Sequence, residues 1–287
     1  MRFAAVLLLL ASCGPSSVPA PPAPAPVELK WKLRPDEILR VRTVASFEHA
    51  ATAPGAAAPL PPKTSWTKEG LVEILVLNEG PSGEYGVRLT PLEFSLKGSV
   101  AGVDVEIEFK NGVWVKEIMG DQPPPPGIRL KEEIEKLKDQ NTKSVERRLG
   151  ARQDLGSAPL PLSWPALPAT PSTPGFTWTE PSGLGPYVRN LKNSPIVAVN
   201  KLASVSGNTA VIDTAFDDFS QAKGETLQVR RERHCVFDIA MGRFASMDEA
   251  GQAIHEGRVP SAANPSQTVP YRTWIRMTSR MNVLEPR

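Results

Sequence analysis

Apolar and polar residues alternate with a period of two along much of this chain, the pattern of strands that bury one face. The clearest run is Val103-Asp104-Val105-Glu106-Ile107-Glu108-Phe109-Lys110, followed by Asn111-Gly112 and then Val113-Trp114-Val115-Lys116-Glu117-Ile118. Asn-Gly between such runs predicts a two-residue hairpin, because a type I′ turn needs positive φ at both central positions. Pairing outward from that turn sets Lys110 against Val113 and Phe109 against Trp114. Phe109, Trp114, Val103, Val105, Ile107 and Ile118 then share a buried face, and Glu106, Glu108 and Glu117 face water.

Further strands are predicted at 39–49, where Leu39, Val41, Thr43, Ala45 and Phe47 alternate, and at 71–77, turning through 78–83 into 84–89. The second half repeats the idiom: 196–205 turns through Ser206-Gly207-Asn208 into 209–213, and 227–239 turns through Ala240-Met241-Gly242 into 243–246. The last strand has Val269, Tyr271, Thr273, Ile275, Met277, Met281 and Val283 on one side and Arg272, Trp274, Arg276, Thr278 and Arg280 on the other. Several runs exceed the usual strand length of about five or six residues.

One stretch changes period. From 128 to 149, Ile128, Leu130, Ile134, Leu137, Val145 and Leu149 fall near helical spacing, with Lys131, Glu132, Glu135, Lys136 and Lys138 on the other face. The pattern predicts one long amphipathic helix in mid-chain. The expected fold is therefore mainly β (α+β), a large curved antiparallel sheet or incomplete barrel of long strands, with this helix as its cover.

Composition turns these elements into an organisation. Twenty of the 30 prolines in the 287 residues lie in four clusters, at 15–26, 54–62, 123–126 and 159–174. They mark a Pro/Ala-rich tether of polyproline type over 13–27. A single β-rich domain is expected over 28–287, composed of a first β region (28–118), a helical insert (128–150), a Pro-rich connection (158–175) and a second β region (176–287). The net charge of +2 is spread along the chain without a dense basic face, so no nucleic-acid partner is expected.

At the amino terminus Arg2 precedes an apolar run, residues 3–11, that is well short of the roughly 20 residues a membrane span needs. It ends in Leu10-Ala11-Ser12-Cys13. This resembles the lipobox of bacterial lipoproteins, with residues 1–12 as the signal peptide. The resemblance implies cleavage before Cys13, a thioether link from Cys13 to diacylglycerol and acylation of the new amino terminus, which makes the membrane a partner. Several acyl chains anchor stably, since each buried CH₂ contributes about 0.8 kcal/mol. Gly14 is similar to the residue that permits outer-membrane sorting, which implies a lipid-anchored cell-envelope protein at the outer membrane, facing the periplasm or the cell surface.

The β-rich body is similar in outline to the lipoprotein-carrier and related envelope families, whose half-barrels hold acyl chains beneath helical lids, and more loosely to uncharacterised β-rich envelope lipoproteins. The first likeness implies a lipid ligand or an envelope protein partner.

Catalytic signatures are absent: the sequence holds no Gly-x-Ser-x-Gly, no His-Glu-x-x-His and no Walker loop. His234 and Cys235 are adjacent on a predicted strand, so their side chains point to opposite faces and Cys235 reads as buried and inert. With Cys13 lipidated, no intramolecular disulfide is possible. Asp213, Asp217 and Asp218 offer oxygens to a cation but match no known loop, and read as a strand end and turn. His255-Glu256 reads as an exposed loop between Gly251 and Gly257, and Arg230, Arg231 and Arg233 are expected to pair with acidic residues on adjacent strands. No catalytic residue, cofactor or metal site is expected. The expected function is a non-enzymatic binding or interaction module for a hydrophobic or lipid ligand, with a structural or assembly role in the envelope as the second reading.

Overall fold

The computed structural model describes residues 24–80, 84–121, 123, 129–149, 164–181, 197–222 and 224–284. Cys13 with its lipobox, most of the tether, Ile128 and residues 158–163 lie outside them. Among the described residues the chain forms β1 (Ile38–Thr52), β2 (Thr64–Glu79), β3 (Tyr85–Val100), β4 (Val103–Lys110), β5 (Val113–Met119), α1 (Leu130–Gln140), β6 (Val145–Leu149), β7 (Thr177–Pro181), β8 (Val197–Ser206), β9 (Thr209–Ala222), β10 (Glu225–Asp238), β11 (Arg243–Pro260) and β12 (Thr268–Leu284). The strands make one antiparallel sheet in the order β5-β4-β3-β2-β1-β12-β11-β10-β9-β8-β7, with β6 paired to β3. The protein is thus mainly β, built on one large open sheet of long strands.

Packing shows how strongly that sheet curls. Tyr85, Val87 and Leu149 from β3 and β6 share a buried core with Leu202 and Ala210 from β8 and β9, which stand far away in the strand order. The two wings therefore meet over a common core at one end of the strands. Register shifts at Leu71/Val72, Val76/Asn78, Leu202/Ser204 and Val236/Phe237 add the local twist that such a bend needs. The same end is plugged from within. Leu29 and Leu33 are buried there, and the Trp31 ring lies 5.3 Å from that of Trp164 and 5.4 Å from that of Phe244. Backbone hydrogen bonds from Lys32 to Gly242 and between Val27 and Ser172 fix the plug in place.

The predicted hairpin forms with its two-residue turn, Asn111 at φ 50° and Gly112 at φ 85°. Lys110 faces Val113 and Phe109 faces Trp114 as the pattern requires. A bulge between Glu108 and Phe109 then moves Ile118 opposite Glu106 and Glu117 opposite Ile107. Ile118, expected in the buried set, is consequently exposed. Glu106 is half-buried and is reached by Lys116 and Lys97.

The long helix is the largest correction. Only Leu130–Gln140 is helical, and Val145 and Leu149 belong to β6, paired with Leu89 and Tyr85. Their i,i+4 spacing is satisfied as well by a short strand with both residues on one face. Leu130 and Ile134 pack on Phe94, Leu96, Ile107 and Phe109, so α1 covers only the β3–β5 wing. Glu132 and Glu133 in the first turn and Lys138 in the last suit the helix dipole, and Lys138 donates to Glu117 of β5.

Two strands extend further than the alternation indicates. β9 continues to Ala222, so Asp213, Asp217 and Asp218 lie within a strand and not at its end. β11 continues to Pro260, which makes His255 and Glu256 strand residues and not a loop.

Candidate functional site

Register organises the concave face into rows. Across β8 to β11, Asn200 faces Thr214, Thr214 faces Arg233, and Arg233 faces Glu249. The same row goes on through Ser279 of β12, Ala45 of β1 and Lys68 of β2 to Leu96 of β3. A band of polar side chains thus crosses the inside of the sheet from Asn200 to Lys68, interrupted by Ala45.

Much of this band is neutralised internally. Arg231 and Arg233 both donate to Glu249 Oε2, Arg233 at 3.0 Å, and Arg233 also lies 3.6 Å from Glu180 of β7. Glu180 accepts in turn from the Ala166 backbone N–H. The side chains of Arg233, Glu249 and Arg231 are 7%, 11% and 15% exposed, which places the ion pairs where screening is weak. Thr214 donates to Asn200 Oδ1 at 2.6 Å. The buried Ser279 hydroxyl has no hydrogen-bond partner. Lys68 lies with its ammonium 5.2 Å above the Phe94 ring, and burial lowers its pKa to about 8.

On the plugged side of the band the core is filled by Cys235, Phe237, Phe244, Met247 and Met281. On the other side the packing is thinner: Phe216 of β9 and Leu227 and Val229 of β10 form a small buried cluster with Ala253 of β11 packed on it. Gly251 stands between Arg231 and Met277, and Ala253 between Val229 and Ile275, so a shallow furrow with small residues at its floor runs along β11. Met277 is 39% exposed although it faces the inside of the sheet. Beyond Met277, Phe47 and Trp66 stack at 5.2 Å with 14° between their planes. The outer end of the furrow carries His255, hydrogen-bonded to Glu225 at 3.2 Å and to the Tyr271 hydroxyl at 3.0 Å.

The residues singled out from sequence distribute as follows. Cys235 is buried and points inward, and burial pushes its thiol up to about 12; His234 points outward and pairs with Asp213 at 2.8 Å. The two do not meet, and the thiol is no nucleophile at neutral pH. Asp217 is exposed on the outer face while Asp218 faces inward, so the three aspartates do not converge. Among the described residues there is no group of three His, Cys, Asp or Glu residues placed to hold a metal ion. Arg231 and Arg233 pair with Glu249 on the adjacent strand β11 as expected, whereas Arg230 pairs with Glu232 of its own strand. Sequence reading missed the furrow, because its floor is glycine and alanine, which carry no hydrophobic signal.

No protein-family model matches this chain, and no curated protein does. Among solved structures it is matched to DynF from the dynemicin biosynthesis pathway of Micromonospora chersina, at 13% identity over 92% of this chain and 89% of that one. The TM-score of 0.21 is too low to establish a common architecture. The fold and site define a class in physical terms: an open, strongly curved antiparallel sheet, sealed at one end, with an apolar furrow on its concave face. No helix among the described residues is long and apolar enough to cross a membrane.

Proposed function

We propose that this protein is a lipid-anchored bacterial cell-envelope protein, attached through Cys13 at the outer membrane, whose β-rich body is a non-enzymatic binding module for a hydrophobic or lipid ligand. The observation that carries the reading is the furrow. Apolar side chains on the inside of a sheet are normally covered, yet Met277 is exposed there, and α1 lies over a different wing. A concave apolar surface with a few convergent polar groups is the usual form of a small-molecule site. The anchor rests on the Leu10-Ala11-Ser12-Cys13 sequence.

Native mass spectrometry of the protein isolated from membranes tests the binding half: a co-purifying apolar small molecule supports it, and a bare protein mass overturns it. Fractionation tests the anchor. Cys13→Ser is expected to release the protein from the membrane fraction with loss of acyl mass, and retention with unchanged mass would refute it.

A further inference from the structure

The hairpin between β1 and β2 is longer than its strands need. Antiparallel neighbours commonly close in two to five residues, whereas this connection occupies 53–63 and ends in Ala58-Pro59-Leu60-Pro61-Pro62-Lys63. It is fixed at both ends. The Ala57 N–H donates to the Pro260 carbonyl at 2.9 Å and the Ala262 N–H to the Gly55 carbonyl at 2.8 Å, with a β-bridge between Ala56 and Ser261, so the root is tied to the connection between β11 and β12. At the other end Lys63 pairs with Glu48 at 2.7 Å, and half-buried Pro62 lies against Gly102, where a Cβ would stand 3.3 Å from that of Pro62.

Between these fixings the residue types dictate the conformation. Pro59, Pro61 and Pro62 hold φ near about −65°. Ala58, Leu60 and Pro61 each precede a proline, which excludes the helical region and leaves them extended or in polyproline II. Accordingly 59–63 runs without a turn or bend, its proline bonds are trans, and Pro59, Leu60 and Pro61 are exposed, Leu60 to 38%. The outcome is a short polyproline ridge, ordered before anything binds it.

The surroundings of the ridge carry no charge. Neither 50–62 nor 259–271 contains Asp, Glu, Lys or Arg, although these make up 22% of the chain. Register and the Ala56–Ser261 bridge set the two stretches side by side at one end of the sheet. Folding does not demand this, since water would solvate a lysine at an exposed loop tip. Depletion of charge is what the core of a binding surface shows, because a partner then desolvates no ion.

We infer that this tip is a docking site for a protein partner with a shallow, aromatic-lined groove that reads polyproline II segments. Pro59, Leu60 and Pro61 lie in the groove with the proline rings on aromatic faces, and the backbone carbonyls of the ridge, which make no helix or sheet bonds, accept from donors at the groove's edge. Because the ridge is held at Ala57 and Lys63, little ordering entropy opposes docking. A lipid surface fits less well: Leu60 is the one large apolar side chain exposed between 50 and 62, and the tip has no cation for a headgroup.

The test places a photocrosslinking residue at position 60 of the full-length protein and irradiates freshly broken cells that make it, with a synthetic peptide of residues 57–63 as competitor. One crosslinked protein is expected. Its yield should fall at least tenfold with excess peptide and stay unchanged with a peptide carrying alanine for each proline. Pro59→Ala combined with Pro61→Ala should cause the same loss at an unaltered melting temperature, and if that chain melts lower the peptide competition on the parent chain decides. The captured protein, once purified, should bind the peptide and lose at least tenfold in affinity when an aromatic residue of its groove is replaced. Crosslinking to lipid, the absence of a crosslinked protein, or capture indifferent to the prolines overturns the inference.

Discussion

Lys68 and Ser279 stand in one cross-strand row of the concave face, separated by Ala45 alone. A lysine ammonium and a buried hydroxyl are thereby held at a boundary, with the filled core on one side and the thinner packing along β11 on the other. Because the row is fixed by backbone register across the sheet, its members cannot drift along the strands independently. The polar band is as rigid as the ladder that carries it.

Lys68 gives this boundary a pH signature. Burial lowers the Lys68 pKa in the folded chain to about 8, against the ordinary lysine value of 10.5 in the unfolded chain. Burying the charge therefore costs stability fully below about pH 8, and that cost is relieved as pH rises toward 10.5. Lys68→Met is expected to melt above the wild type at pH 7, with the difference shrinking steadily between pH 8 and 10. Thermal unfolding of the two proteins across that range measures it, and a gap independent of pH would show that Lys68 is not buried as a cation.

Glu249 holds two guanidinium groups at once. Removing it in Glu249→Ala leaves Arg231 and Arg233 without their shared carboxylate in a poorly solvated site, with an expected loss of about 3–5 kcal/mol. Glu249→Gln keeps an acceptor and should cost less. Urea unfolding distinguishes the two, and a near-neutral Glu249→Ala would mean that the pair is open to water.

Cys235 should be chemically silent in the folded chain. Its thiol is buried, with a pKa of about 12. In Cys13→Ser protein, whose only remaining thiol is Cys235, a disulfide reagent is expected to give no reaction at pH 8 over hours and one full equivalent in denaturant. Rapid labelling of folded protein would place the β10 core in contact with solvent.

The hairpin turn offers a purely conformational test. Gly112 has φ 85° and nothing within 4 Å of a Cβ position, so Gly112→Ala adds no clash. The expected cost is about 1 kcal/mol from forcing a side chain into the left-handed region. Chemical denaturation reads that loss, and a neutral substitution would indicate a different turn.

Much of the sheet was legible in the chain, for a reason that also explains what was not. Alternation reports a strand only while one face is strongly apolar. It therefore located Val103–Lys110, whose inward side chains are all large, and lost β11 after Ser246, where the inward residues are Met247, Glu249, Gly251 and Ala253. β9 faded in the same way where Asp217 and Asp218 follow Phe216. The strands became hard to read where they line the polar band and the furrow, so the gaps in the pattern fell on the candidate site. The bulge at Glu108/Phe109 was hidden for a different cause: one extra residue in a partner strand leaves each strand's own alternation intact.

The backbone bridge between Val27 and Ser172 sets a direction for the whole molecule. The chain enters its fold at the plugged end, so a membrane anchor at Cys13 would hold the protein by its stopper. The furrow opens at the opposite end of strands up to 18 residues long.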